Sequence, residues 1–137
     1  VGGLGDGDEG AVYMFSGSGV SWTFDQKVVA PDAAQFDAFG AGDVMQNKRI
    51  SLDGDRLLVG APGKDPIAGS LSGAAYFYKY SGVSSTWEYK KKIFPTDGAA
   101  GNNFGSAVAM DAGRSVIYAK DDTVAPDAGG IYIFNIP

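Results

Sequence analysis

Alternating apolar side chains mark one short segment that occurs three times along the chain. The copies are Gly10-Ala11-Val12-Tyr13-Met14-Phe15, Gly73-Ala74-Ala75-Tyr76-Phe77-Tyr78 and Gly130-Ile131-Tyr132-Ile133-Phe134. In the first copy, Tyr13 and Phe15 fall on one face of a β-strand, opposite Val12 and Met14. Both faces are apolar in every copy, which predicts strands covered on both sides, as in a sheet stacked between neighbouring sheets.

A longer unit surrounds this segment and keeps the same order in two copies. It contains a serine-rich turn, a tryptophan strand, a proline with an aspartate, a Phe-Gly pair and a further apolar strand. These parts are Ser16-Gly17-Ser18-Gly19, Trp22-Thr23-Phe24, Pro31-Asp32, Phe39-Gly40 and Arg56-Leu57-Leu58-Val59-Gly60-Ala61-Pro62 in one copy, and Ser81-Gly82-Val83-Ser84, Trp87-Glu88-Tyr89, Pro95-Thr96-Asp97, Phe104-Gly105 and Ser115-Val116-Ile117-Tyr118-Ala119 in the other. Four short strands with glycine-rich turns, at a period of about 60 residues, are typical of a propeller blade.

The repeats predict an all-β fold made of antiparallel four-stranded blades of a β-propeller. Residues 1–38 supply the last strands of a first blade, residues 39–95 a complete blade, and residues 96–137 the first strands of a third. This amounts to about two and a half blades, whereas a closed propeller needs about four or more. We therefore expect a piece of a larger propeller, or an arc completed by partner chains. Short helical signals in residues 33–35 and 44–47 are hemmed in by glycine or proline and predict loops.

The composition argues against several classes of function. Eleven basic and 16 acidic side chains give a net charge of −5, which repels a phosphate backbone or an anionic membrane. The chain has no cysteine and no histidine, and histidine is the side chain most used for acid–base catalysis near neutral pH. It also has no run of about 18 apolar residues that would span a membrane. We therefore expect no nucleic-acid partner, no membrane span and no catalytic residue.

Residues 52–63 carry a resemblance to a known family. The run Leu52-Asp53-Gly54-Asp55-Arg56-Leu57-Leu58-Val59-Gly60-Ala61-Pro62-Gly63, with Phe39-Gly40 upstream, resembles the FG-GAP repeat of integrin α-chain propellers and of many microbial and algal surface proteins. The second copy is similar over residues 104–111, but it has Tyr118-Ala119-Lys120 where the family has Gly-Ala-Pro. The resemblance implies a non-catalytic module that binds or scaffolds other proteins. It also implies a location outside the cell, at its surface or in an organelle lumen.

Four carboxylates are candidate calcium ligands. Integrin-type repeats often carry a loop of alternating acidic residues before the Val-Gly-Ala-Pro strand, because oxygen ligands must converge on the cation. Here that stretch offers only Asp53 and Asp55, and a second acidic run on glycines contains Asp6 and Asp8. Asp-Gly hairpin turns with solvated carboxylates explain the same residues. Calcium is the one metal that the sequence suggests, and no other cofactor is expected.

An inserted loop is the candidate partner-binding element. After its Phe-Gly pair the first copy has about six more residues than the second, which predicts a loop that projects from one end of the blade. The candidate contact residues are Val44, Met45, Gln46, Asn47, Lys48 and Arg49.

Aromatic side chains bear on an alternative function, carbohydrate binding, because exposed rings stack on sugars. The candidates are Trp22, Phe24, Trp87 and Tyr89. Packing between blades is the interpretation that we adopt, because large aromatic side chains are usually buried. Three functions stay open at this point: a protein-binding or scaffold module, a carbohydrate-binding or calcium-assisted adhesion domain, and an accessory domain of a secreted enzyme.

Overall fold

The computed structural model describes residues 2–3, 8–42, 48–65, 72–96, 100–120 and 129–137. Within these residues the chain is all-β and contains no helix. The strands are β1 (Gly2–Gly3), β2 (Ala11–Ser18), β3 (Ser21–Val28), β4 (Ile50–Asp53), β5 (Arg56–Ala61), β6 (Ala74–Ser81), β7 (Thr86–Ile93), β8 (Ala107–Asp111), β9 (Arg114–Ala119) and β10 (Gly130–Asn135). The predicted all-β fold is confirmed. Residues 33–35 lie in a loop as predicted, and residues 44–47 lie outside the described residues.

Three antiparallel sheets contain these strands. The first sheet has the order β1-β2-β3, the middle sheet β4-β5-β6-β7, and the third sheet β10-β9-β8. In the middle sheet each strand pairs with the next along the chain, as in a propeller blade. The residue boundaries of the three predicted blades, 1–38, 39–95 and 96–137, stay a prediction.

Equivalent positions in the sheets follow from the strand pairing. The register of β2 with β3 shifts between Met14 and Phe15, and that of β6 with β7 shifts between Phe77 and Tyr78. A β-bulge therefore falls at the same place in both copies of the repeat. Gly2 pairs with Val12 as Gly60 pairs with Ala75, so β1 corresponds to the end of β5.

Each face of the middle sheet packs against a different neighbour. Leu57 and Leu58 are adjacent in β5 and both fully buried, yet they belong to different apolar clusters. The cluster of Leu57 joins the middle sheet to the first, through Val12, Val28, Val59, Tyr76 and Tyr78. The cluster of Leu58 joins the middle sheet to the third, through Ala75, Phe77, Phe104, Val108 and Ile117. The middle sheet is thus stacked between two others, as its apolar faces predict.

The predicted burial of the aromatic side chains is wrong for Trp22, Phe24 and Tyr89. Trp22 and Phe24 of β3 are exposed, because the described residues bring no sheet against the outer face of the first sheet. Tyr89 of β7 is exposed as well, whereas Trp87 packs against the cluster between the first and middle sheets. Burial of these rings depends on a neighbouring sheet, which the alternation of side chains along one strand does not reveal.

Candidate functional site: the blade joints and the end faces

Two joints of the same construction hold the three sheets together. In the joint between the first and middle sheets, the Phe39 ring lies edge-on to Tyr76 and Tyr78, with centroids 5.5 and 6.1 Å apart. In the joint between the middle and third sheets, Phe104 meets Tyr132 and Phe134 in the same way, at 5.2 and 6.2 Å. Edge-to-face contacts of this kind add to the free energy gained by burying the rings.

A glycine in the preceding sheet lets the phenylalanine backbone approach. A β-carbon at Gly10 would lie 2.3 Å from the carbonyl oxygen of Phe39, and one at Gly73 would lie 2.2 Å from that of Phe104. Both glycines have positive φ angles, 84° and 83°. Each joint therefore requires a residue without a side chain, for its backbone conformation and for the space above it.

The glycine of each Phe-Gly pair ties the joint to a strand of its own sheet. The Gly40 amide donates a hydrogen bond to the Gly60 carbonyl at 2.9 Å, and the Gly105 amide donates to the Tyr118 carbonyl at 3.0 Å. A β-carbon at Gly60 would lie 2.0 Å from the Gly105 carbonyl oxygen. The glycines of the repeat motif are thus joint residues, and their role is to bring neighbouring sheets into contact.

A polar network reinforces the joint between the first and middle sheets. The buried Lys64 ammonium donates to Asp37 Oδ2 at 2.9 Å and also to the backbone carbonyl of Asp32. The Asp32 carboxylate in turn accepts from the Tyr76 hydroxyl at 2.7 Å and from the Lys92 ammonium at 2.8 Å. Because Lys64 and Asp37 are both nearly inaccessible to water, removing either side chain would leave the other buried without its partner.

The protonation states of this network suit a structural role. Burial alone would raise the pKa of Asp32, but hydrogen bonds from Lys92 and Tyr76 and the charge of Lys64 hold it below its usual value. Burial and the hydrogen bond to Asp32 raise the pKa of the Tyr76 hydroxyl, and burial raises that of Tyr78. The carboxylate therefore stays ionised and the phenols stay protonated at neutral pH, so these groups are not tuned for acid–base catalysis.

Acid is expected to weaken this joint. The pKa of Asp32 is lower in the folded chain than its unfolded value of about 3.9, so its stabilising effect is present above that value and is lost as the pH falls through the folded pKa. Its side chain is 46% exposed and water screens its ion pairs, so Asp32→Asn should lower the free energy of unfolding at pH 7 by only about 1 kcal/mol. Urea unfolding at pH 7, 5 and 3 tests this. An Asp32→Asn variant with the same loss of stability between pH 5 and 3 as the wild type would contradict it.

The candidate calcium ligands do not form one cluster in the described part of the chain. Asp53 and Asp55 flank the β4–β5 turn, with carboxylate oxygens 3.9 Å from Arg56 Nη1 and 3.7 Å from Lys79 Nζ respectively. Asp8 is exposed on another loop, and Asp6 lies outside the described residues. Among the described residues no group of three or more Asp, Glu, His or Cys side chains is placed to hold a metal ion. Calcium binding by these residues stays a prediction.

The inserted loop is described only at its end. Val44, Met45, Gln46 and Asn47 lie outside the described residues, and Lys48 and Arg49 lie within them. The Lys48 carbonyl accepts a hydrogen bond from the Val108 amide of the third sheet at 2.7 Å, and the Arg49 carbonyl accepts one from the Gly60 amide at 2.8 Å. The backbone at this end of the loop therefore takes part in the contacts between sheets. Partner binding by the loop stays a prediction.

Sequence reasoning named the Phe-Gly pairs of the joints but not the role of the residues against which they pack. The glycine against which each Phe-Gly pair packs is the first residue of the repeated segment, Gly10 or Gly73, and this repetition was the available signal. Gln26 is a further case: it donates to the Trp87 carbonyl at 3.1 Å and accepts from the Trp87 amide at 2.7 Å. Nothing in the local sequence indicates that the Gln26 side chain would form the pair of hydrogen bonds that a strand backbone forms with its neighbour.

An open groove lies between the first and middle sheets, at the β2–β3 and β6–β7 hairpins. Its volume is about 670 Å³. Aromatic rings and carboxylates share its wall: Phe15, Phe24, Tyr80, Trp87, Asp25 and Asp55. The Tyr80 and Trp87 rings lie 5.5 Å apart.

Antiparallel sheets stacked face to face through a repeated Phe-Gly joint define a blade-repeat protein of the β-propeller type. The family model described as FG-GAP repeat matches residues 22–78 and again residues 87–134. The chain therefore belongs to the FG-GAP repeat family, which confirms the resemblance seen in the motif. No curated protein matches the chain. The described residues contain no helix long and apolar enough to cross a membrane.

Proposed function

We propose that the chain is a non-catalytic scaffold module that binds other protein sheets through the outer faces of its first and third sheets. These faces are called the N-terminal and C-terminal end faces below. The bound sheets belong to the rest of the same propeller or to other chains of an assembly. Repeats of this family are typical of non-catalytic, extracellular proteins, which supports a scaffold outside the cell, at its surface or in an organelle lumen.

The observation that carries this proposal is the different exposure of equivalent residues. Ile131 and Ile133 of β10 stand where Ala75 and Phe77 stand in β6. Ala75 and Phe77 are 0% and 4% exposed because the third sheet covers them, whereas Ile131 and Ile133 are 70% and 68% exposed. An apolar sheet face of this kind marks a surface that another sheet covers.

The mass of the native particle tests the scaffold proposal. A tagged chain purified from its source is expected to travel in a particle heavier than the 14.2 kDa of the chain alone. Where another chain supplies the covering sheet, replacing both Ile131 and Ile133 by lysine should release the chain from that particle, because two charges would be buried at the contact. Val83→Lys is the matched control, since Val83 is fully exposed on the β6–β7 turn. A native particle no heavier than 14.2 kDa would contradict the proposal.

The groove favours carbohydrate binding as a second candidate. Rings stack on sugar faces and carboxylates accept hydrogen bonds from sugar hydroxyls, and this groove has both on its wall. A glycan array probed with the chain tests carbohydrate binding, with Tyr80→Ala as the variant expected to lose it.

Calorimetric titration with calcium tests a calcium-assisted form of this function. It compares the wild type with the double variant Asp53→Asn, Asp55→Asn. The sequence of the full-length gene tests the remaining alternative, an accessory domain of a secreted enzyme.

A further inference from the structure

The groove between the first and middle sheets is formed by complete hairpins. The β2–β3 hairpin forms one wall, and the β4–β5 turn forms the other together with the β6–β7 hairpin. All of these segments lie within the described residues. The groove is therefore a feature of two sheets that pack on each other, and it does not depend on what covers the N-terminal or C-terminal end face. Its volume of about 670 Å³ is typical of small-molecule sites, which measure about 300–1,000 Å³.

Two neutral polar side chains of the groove already have partners within the protein. The Gln26 side chain donates to the Trp87 carbonyl and accepts from the Trp87 amide. The Ser16 hydroxyl donates to Asp25 Oδ1 at 2.9 Å. Among the described residues no group donates to the other oxygen of Asp25. A ligand in the groove therefore finds carboxylate oxygens as charged hydrogen-bond acceptors.

Negative charge lies on both walls of the groove. Asp25 belongs to the wall of the first sheet and Asp55 to that of the middle sheet, and both are exposed. Among the described residues that line the groove there is no lysine or arginine. Lys79 contacts Asp55 from outside this lining, with Nζ 3.7 Å from Oδ2, but the two side chains are 41% and 50% exposed and water screens the pair. The walls therefore favour a ligand with positive charge, as does the net charge of −5.

The aromatic rings of the groove favour a ligand that also has flat apolar faces. The Tyr80 and Trp87 rings lie 5.5 Å apart with their planes inclined by 59°, so they offer two surfaces of different direction. The C–H face of a sugar ring packs on an aromatic surface of this kind. An ammonium group on that sugar would be attracted both by the ring faces and by the carboxylates beside them.

We propose that the groove binds an oligosaccharide with free amino groups, its sugar ring stacked on Tyr80 or Trp87 and its ammonium group paired with Asp25 or Asp55. The inference rests on the carbohydrate-binding candidate of the proposed function and specifies the class of sugar. A neutral sugar lacks the charge that the carboxylates attract, and an N-acetylated amino sugar has lost it. A uronic acid has the opposite charge and is repelled.

Calorimetric titration with matched oligosaccharides tests the class of sugar. The probes are oligomers of equal length built from glucosamine, N-acetylglucosamine, glucose and galacturonic acid. At low salt and a pH at which glucosamine is protonated, the glucosamine oligomer should bind at least about tenfold more tightly than the other three. Molar sodium chloride should reduce this preference, because salt screens exposed charges.

The results separate this inference from the carbohydrate-binding candidate on which it rests. A neutral, N-acetylated or acidic oligomer that binds as tightly as the glucosamine oligomer overturns the inference and leaves carbohydrate binding in place. If no oligomer binds at millimolar concentration and the glycan array is also negative, both are overturned. An oligolysine of equal charge that competes as well as the glucosamine oligomer shows that the groove selects charge alone, which overturns the assignment to sugars.

Carboxylate substitutions test the two acidic residues. Asp25→Asn and Asp55→Asn should each weaken binding of the glucosamine oligomer at least about threefold, and the double variant should remove its preference over the glucose oligomer. Asp53→Asn is the matched control, because Asp53 lies on the same turn as Asp55 but outside the lining of the groove. Asp25 and Asp55 are exposed, so circular dichroism should show an unchanged fold. Equal effects of the control and the groove variants overturn the assignment of Asp25 and Asp55.

Discussion

Phe39→Ala is expected to lower the free energy of unfolding by about 3–5 kcal/mol, the loss typical of a buried phenylalanine. Phe39 is fully buried, and its ring fills the space between the first and middle sheets. Alanine would leave a cavity there and remove both edge-on contacts, with Tyr76 and Tyr78. The damage extends beyond one contact, because the first sheet packs on the middle sheet through this cluster.

Urea unfolding followed by tryptophan fluorescence measures the effect, since both tryptophans lie in the two sheets that this joint connects. Phe36→Ala is the matched control: it removes the same ring from the same loop, but Phe36 is 60% exposed. It should change the free energy of unfolding by about 0.5 kcal/mol or less. Equal losses for the two variants would show that the Phe39 ring is not buried in a joint.

Gly73→Ala is expected to lower the free energy of unfolding by about 2–5 kcal/mol. About 1–2 kcal/mol comes from placing a side chain on a residue with left-handed φ, and about 1–3 kcal/mol from displacing the Phe104 backbone. The second contribution arises because the new β-carbon would lie 2.2 Å from the Phe104 carbonyl oxygen. That collision would push the third sheet away from the middle sheet.

Gly54→Ala separates the two contributions. Gly54 also has a positive φ angle, 58°, but a β-carbon there would meet nothing within 4 Å. It should therefore show only the backbone effect of about 1–2 kcal/mol. Thermal or urea unfolding of both variants decides the matter: a Gly73→Ala variant no less stable than Gly54→Ala would contradict the close approach of the two sheets.

The strands could be predicted because their signal is local. Alternation in Gly10–Phe15 and its two repeats fixes which side chains share a face, and glycine-rich turns separate the strands. The repeat order indicated blades, and the middle sheet has the four strands of one. The FG-GAP motif indicated the family, and the match of the family model confirms it.

The joints could not be predicted because they depend on residues far apart in the sequence. Lys64 reaches Asp37 across 27 positions, and Lys92 reaches Asp32 across 60. Exposure of Trp22 and Phe24 likewise depends on whether a sheet covers β3, which no local pattern reports. The candidate site, too, could be predicted only where its signal is local. Single acidic or aromatic residues were easy to name, whereas the different exposure of equivalent residues such as Phe77 and Ile133 appears only when the sheets are compared.

The stacking of the three sheets is the central claim, and nuclear Overhauser effects from two adjacent leucines test it most directly. With methyl-labelled leucine, Leu57 should show contacts to first-sheet residues such as Val12 and Val28, and Leu58 to third-sheet residues such as Val108 and Ile117. Two adjacent residues of β5 would thus contact different sheets. Contacts from both leucines to the same sheet, or from neither to any other sheet, would contradict a middle blade enclosed by the other two.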